Sequence, residues 1–210
     1  MRLRKVKDAT EIIESHPHIV ILDKEGLKGN WQSVFKSEQP IYIEVGMGKG
    51  QFIIGMAKKH PHLNFIGIEK FDSVMVRALE KVLEAESLPN LKLLKIDAAQ
   101  LDSIFAADEV AGIYLNFSDP WPKPRHAKRR LTHENFLKIY ERIMDNNGKI
   151  CFKTDNRPLF EYSLVSLSAY GMQFHQSEDL DWNVMTEYEQ KFSSKGQLIY
   201  RFEATFQGKE

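Results

Sequence analysis

Residues 41–60 read Ile-Tyr-Ile-Glu-Val-Gly-Met-Gly-Lys-Gly-Gln-Phe-Ile-Ile-Gly-Met-Ala-Lys-Lys-His. A β-rich run, Ile41 to Val45, meets glycines at 46, 48 and 50, and a helical stretch from Gln51 to His60 follows, which Pro61 closes. Glycines between a strand and a helix let the backbone take positive φ and approach a ligand closely. A dinucleotide fingerprint would place its third glycine at position 51, where Gln51 stands, and a P-loop would have Ser or Thr after Lys49, where Gly50 stands. Two readings remain for the glycines alone. One is a tight turn with no ligand; the other is a turn for S-adenosylmethionine, which has no pyrophosphate and needs no full phosphate cradle.

The alternation continues outward from this unit. Strands are expected at Asn64 to Glu69, Leu91 to Ile96, Gly112 to Phe117, Lys149 to Thr154, Met172 to Gln176 and Gln197 to Phe206. Helices are expected from Asp72 to about Ser87, from Thr132 to Asp145 and from Pro158 to Tyr170, the first two capped by Asp72 and Thr132. In the first of these Met75, Leu79, Val82 and Leu83 share one face. Strands alternating with helices predict an α/β domain with a largely parallel sheet. Residues 1–40, with a short candidate helix near Asp8 to Ser15, read as an N-terminal arm ahead of a domain spanning 41–210. Glu44, Glu69 and Asp97 fall at or just after the carboxyl ends of three consecutive strands, the edge where open α/β sheets bind ligands. Glu69 is suited to accept from two ribose hydroxyls and Asp97 from an adenine amino group.

Composition limits the classes available. At 210 residues, 42% hydrophobic and 28% charged, the chain is long enough for one domain with a full core and is not of disordered type. No apolar run reaches membrane-span length and the N-terminus lacks a signal-peptide core, so neither insertion nor secretion is expected. The one cysteine, Cys151, lies in an apolar stretch, which suits a buried thiol in a reducing compartment, the cytoplasm. With 29 basic and 29 acidic side chains, any attraction to a polyanion has to be local. Basic residues gather at 2–7 and 123–130, whereas Glu178, Asp179, Asp181, Glu187 and Glu189 cluster near the C-terminus.

The second basic cluster adjoins an unusual loop. Asn116 to Lys123 read Asn-Phe-Ser-Asp-Pro-Trp-Pro-Lys, and Arg125, His126, Lys128, Arg129 and Arg130 follow. Prolines fix their own φ and push the preceding residues, Asp119 and Trp121, toward extended conformations. A stiff acid beside mutually repelling cations points to chemistry on an anionic partner, nucleic acid first; a solvated loop is the alternative. If this loop's strand lies beside the first strand, Asp119 and the glycine turn face each other across one crevice. His16/His18 and His60/His62 flank prolines but have no Cys or acid at ligand spacing, so no metal is expected.

The Asn116–Lys123 stretch with its basic run resembles the signature of bacterial tRNA (guanine-N7-)-methyltransferases. The resemblance extends to Glu44–Gly50, Phe65–Glu69, Phe152-Lys153-Thr154-Asp155 and Thr186-Glu187-Tyr188-Glu189, and covers roughly residues 41 to 206. It implies a class I methyltransferase fold, Rossmann-like, with helices on both faces of a seven-stranded, mostly parallel sheet that has one antiparallel strand. It implies methyl transfer from S-adenosylmethionine to N7 of a guanosine in the tRNA variable loop, leaving S-adenosylhomocysteine, by a monomer or homodimer. Carried over residue by residue, Glu44, Gly46, Gly48, Glu69, Asp97, Ala98, Asn116 and Asp119 line the cofactor site, with Asp119 also catalytic. Lys123, Asp155, Thr186, Glu187, Tyr188 and Glu189 contact the substrate, while Arg125, His126, Lys128, Arg129 and Arg130 meet the RNA backbone. The competing expectations are the same cofactor with another RNA or a small-molecule acceptor, and a non-catalytic RNA-binding protein of the same fold.

Overall fold

The computed structural model describes residues 6–175, 183–186, 189–190 and 196–208. Its strands are β1 (Val20–Ile21), β2 (Ile41–Val45), β3 (Asn64–Glu69), β4 (Leu91–Lys95), β5 (Val110–Asn116), β6 (Met144–Thr154), β7 (Gln173–His175) and β8 (Tyr200–Thr205). Its helices are α1 (Ala9–Glu14), α2 (Gln51–Lys59), α3 (Asp72–Glu84), α4 (Leu101–Ile104), α5 (Glu134–Ile143) and α6 (Arg157–Ala169). One sheet runs in the order β1-β4-β3-β2-β5-β6-β8-β7. Only β8 runs against its neighbours, pairing antiparallel with both β6 and β7. From β2 the chain steps outward through β3 and β4, then returns to lay β5 on the other side of β2. The strand order therefore reverses between β2 and β5, and the loops after these strands open a crevice there.

The seven expected strands are all among the eight observed. The extra strand, β1, comes from the N-terminal arm and pairs Val20 and Ile21 with Leu93 and Leu94. Two residues are too few to show an alternating pattern in sequence. The same arm packs α1 against α3 and buries Trp31, whose ring stacks on Phe105 at 4.8 Å.

Both faces of the sheet are covered, which is why β3 is buried along its whole length. On one face Phe52, Ile53, Met56, Met75 and Leu79 of α2 and α3 meet Phe65, Leu93 and Tyr114. On the other, Leu137, Tyr140 and Ile143 of α5 and Leu159 and Leu167 of α6 meet Ile43, Ile66, Ile113 and Phe152. Each such fully buried side chain contributes about 1.5–3 kcal/mol.

Three details of the helices differ from expectation. Asp72 is the first helical residue of α3 rather than its cap, held there by Lys95 and by Thr10, whose hydroxyl donates to it at 2.9 Å. Thr132 does not cap α5: it is buried with its hydroxyl 2.8 Å from that of Ser163, and His133 caps instead, accepting from Asn135 N. Leu83 lies outside the buried face of α3, which Val76 and Ala78 complete. A core neighbour thus took the hydroxyl that sequence assigned to a cap, and a cross-strand cation took the carboxylate.

Candidate active site

The glycine turn after β2 forms as its composition requires. Gly46, Gly48 and Gly50 have φ of 78°, 58° and 74°, and among the described residues nothing beyond the adjoining chain lies within 4 Å of where a Cβ would stand on Gly46 or Gly48. Gly46 N and Met47 N both donate to Ile68 O at 2.9 Å, which fastens the turn to β3 beside Glu69. The turn is therefore a fixed, open concavity at the carboxyl edge of the sheet.

A row of polar side chains crosses the sheet beneath that edge. Asn116, Lys153 and Arg201 stand in register on β5, β6 and β8, and Glu44 lies one step away on β2, where it pairs with Tyr114. Glu44 is buried, and its Oε1 accepts from Asn116 Nδ2 at 2.8 Å. Among the described residues, Glu44 Oε2, Asn116 Oδ1 and Ser118 Oγ are buried and have no hydrogen-bond partner. Burial pushes the Glu44 pKa up to about 8, against the opposing pull of Asn116 and Lys153. Such orphaned acceptors are expensive unless a ligand satisfies them.

Glu69, also buried, turns Oε1 toward its own chain, accepting from Lys70 N at 2.9 Å and Phe71 N at 3.1 Å. Burial raises its pKa, partly offset by those backbone donors. Asp97 is exposed, accepts from Ala99 N at 3.0 Å and lies 3.6 Å from Lys70; Ala98 begins the short 3-10 turn that Asp97 caps. Glu44, Glu69, Asp97, Ala98 and Asn116 are therefore gathered along three adjoining strand ends, β2, β3 and β4, with β5 at their flank.

Across the crevice, the loop after β5 is exposed at Asp119, whose carboxylate has no ion pair or side-chain hydrogen bond with any described residue. Phe117 and Trp121 have φ of 49° and 42°. Trp121 is thus left-handed, not extended as the following proline predicts, and the reason is Arg130. Its Nε donates to Pro120 O at 3.1 Å and its Nη2 to Trp121 O at 3.0 Å, while the guanidinium lies 4.2 Å from the Tyr162 ring centroid. Arg129 sits 4.9 Å from the Trp121 ring, which meets His126 edge-on at 5.7 Å. The loop's stiffness comes as much from Arg130 as from the prolines.

The basic run itself forms a 3-10 helix, Pro124–Arg129, on which Arg125, Lys128 and Arg129 are exposed, as is the preceding Lys123. Asp155, at the end of β6, accepts from Gln197 Nε2 at 3.1 Å. Thr186 is half-buried, and Glu189 is fully buried and faces inward, accepting from Lys153 Nζ at 2.8 Å and from Arg201. Glu187 and Tyr188 lie outside the described residues. Sequence reasoning missed Lys153 and Arg201. The only signal was a lysine in an otherwise apolar strand, Ile150-Cys-Phe-Lys-Thr154, where a buried cation needs an acid from elsewhere in the chain.

The family profile described as "Putative methyltransferase" matches residues 38–202, nearly the whole of this sheet. A tRNA (guanine-N(7)-)-methyltransferase of Lysinibacillus sphaericus is 59% identical over 98% of this chain and 98% of its own length. One of Streptococcus sanguinis is 54% identical over 99% of this chain and 100% of its own. The chain belongs to this methyltransferase family. Solved structures of lower identity share the fold. The 16S rRNA methyltransferase KamB matches with a TM-score of 0.62 at 12% identity, over 86% of this chain and 94% of its own. A SAM-dependent methyltransferase from Aquifex aeolicus matches with a TM-score of 0.58 at 14% identity, over 96% of this chain and 100% of its own. The crevice between β2 and β5 lies where the strand order reverses, the general place for ligands in open α/β sheets.

Proposed function

We propose that this chain is a tRNA (guanine-N7-)-methyltransferase, acting in the cytoplasm with S-adenosylmethionine as donor and a variable-loop guanosine as acceptor. The observation that carries the donor assignment is the pair of buried oxygens with no close hydrogen bond among the described residues, Glu44 Oε2 and Asn116 Oδ1, beside an open glycine turn. Both are matched to a cationic, hydrogen-bond-donating ligand, and the ammonium of S-adenosylmethionine is one. Glu69 would hold the ribose hydroxyls, Asp97 and Ala98 the adenine, and Gly46 and Gly48 leave room for the donor's backbone. Bound there, S-adenosylmethionine would supply a methyl group on a positively charged sulfur, open to the in-plane lone pair of guanine N7, with S-adenosylhomocysteine as the leaving group.

Guanine N7 carries no proton, so the chain has no base to provide. Its work is to position the acceptor and to stabilise the positive charge that builds on the purine. Asp119, exposed at the crevice on a loop clamped by Arg130, is a fixed negative charge suited to that role. Asp155, at the end of β6, would accept from guanine N1–H or its amino group. Lys123, Arg125, Lys128 and Arg129 are free to meet phosphates from the exposed side.

The test is transfer of labelled methyl from S-adenosylmethionine to unmodified tRNA, followed by chemical cleavage at N7-methylguanosine. Label confined to one variable-loop guanosine is expected; label in another base, or no transfer, contradicts the reading.

A further inference from the structure

A second feature lies beside the crevice, where Lys153 stands next to Asn116 in the polar row. Asn183 to Thr186, together with Glu189 and Gln190, are fastened to the body of the protein at two points. The first is steric. A Cβ on Gly55, in the middle of α2, would stand 2.5 Å from Val184 Cγ1, closer than atoms approach, so Val184 seats in a notch that only glycine leaves open. Glycine in a helix interior is otherwise disfavoured relative to alanine, so a packing reason is called for.

The second point is electrostatic. Lys153 has no solvent exposure, and its ammonium donates to Val184 O at 2.8 Å, Asn183 Oδ1 at 3.2 Å and Glu189 Oε2 at 2.8 Å, with the Phe52 ring 4.8 Å away. Those are all three donors an ammonium has. The other Glu189 oxygen accepts from Arg201, and Thr186 Oγ1 accepts from Glu189 N at 2.9 Å. Burial pulls the Lys153 pKa down against the pull of Glu189; Lys153 and Arg201 hold that of Glu189 down despite burial. A buried pair of this kind is stable only while every partner stays in place. The Lys153 backbone also serves the opposite wall, since its carbonyl accepts from Phe117 N at 2.8 Å, where the Asp119 loop begins.

We propose that Gly55 and Lys153 are positioning residues for methyl transfer, docking Val184 and Glu189 on α2 and β6 so that Thr186, which the family resemblance assigns to the substrate, is held in place. This rests on the transferase reading above. Glu189 then acts from inside, as the counter-ion of the dock, rather than as an acceptor for the guanine ring.

Gly55→Ala tests the steric point without touching a charge, and helix propensity favours the substitution, so the fold survives it. The expected result is a kcat for tRNA methylation lowered by about 10-fold or more, with S-adenosylmethionine affinity unchanged and faster amide exchange at 184–186. Lys153→Met is expected to lower both Tm and kcat. Adding Glu189→Gln, which removes the unpaired negative charge while its amide oxygen still accepts from Arg201, raises Tm again but not kcat. Wild-type kcat in Gly55→Ala, or kcat recovering together with Tm in the double variant, overturns the proposal. The amide-exchange arm needs no acceptor. A wild-type chain protected at 184–186 that transfers no methyl to tRNA contradicts the transferase reading and leaves the dock standing, whereas unchanged exchange in Gly55→Ala removes the dock itself.

Discussion

On the β2–β3 side of the crevice, Glu44 and Glu69 are buried, and the glycine turn beside them is bonded to β3 and open. On the β5 side, Asp119, Lys123, Arg125, Lys128 and Arg129 all stand exposed on a loop and a short 3-10 helix. The first side is what a small ligand requires: a concavity formed in advance, with few polar atoms, each aimed. The second suits a large polyanion that brings its own surface and completes the site when it arrives. The difference predicts that substitutions divide cleanly, those on one side altering donor binding and those on the other altering turnover and RNA affinity.

The largest effect is expected at Asp119. Asp119→Ala should lower single-turnover methyl transfer by about 100- to 1000-fold while donor affinity, measured calorimetrically, stays within a few-fold. Equal losses in both would dissolve the division. Arg130 comes next, because it holds the loop rather than the RNA. Arg130→Ala should lower kcat by roughly 10- to 100-fold through loss of loop position, and Arg130→Lys should rescue little, since one ammonium does not reproduce a fork donating to both Pro120 O and Trp121 O. A loss confined to KM for tRNA would instead make Arg130 a phosphate contact.

Glu44 sharpens the comparison from the donor side. With its pKa at about 8 it is protonated in the ligand-free site at neutral pH. A cationic ligand favours the ionised form, so donor affinity should rise as pH climbs from 6 to 8, by up to about tenfold per unit, and level off above. The ligand-free fold loses stability over the same climb, because the folded state keeps a proton that the unfolded chain has already released. Titrations of the wild type and of Glu44→Gln from pH 6 to 9 check this; the variant should show a flat profile. The smallest effects belong to the basic helix. Arg125→Ala and Lys128→Ala should each weaken tRNA binding a few-fold and reduce the slope of log affinity against log salt by about 0.7–0.9, with donor binding untouched.

Much of this arrangement was legible in the sequence because it is local. The glycine turn, the acids at strand ends and the proline-stiffened loop of Asp119 each sit in short runs whose residue types allow few conformations. The largely parallel α/β character, too, followed from alternation of strand and helix, whereas the strand order did not. What the sequence did not disclose depends on partners distant along the chain. Lys153 and Glu189 are 36 positions apart, Arg130 reaches back to Pro120 and across to Tyr162, and Thr132 lost its capping role to a hydrogen bond with Ser163. Arg130 read as one more cation of a basic run, and Glu189 as one more acid of a charged tail, until burial separated them from their neighbours. The two-residue β1 stayed hidden for a plainer reason, that no period fits in two positions.

Binding of each substrate alone, followed across salt, tests the division of the crevice most directly. S-adenosylmethionine should bind the chain without tRNA, with an affinity that barely changes between 50 and 200 mM salt, whereas tRNA affinity should fall by roughly 20- to 40-fold over that range if about three phosphates are neutralised. Donor binding that requires tRNA, or that follows the same salt dependence, would contradict the account.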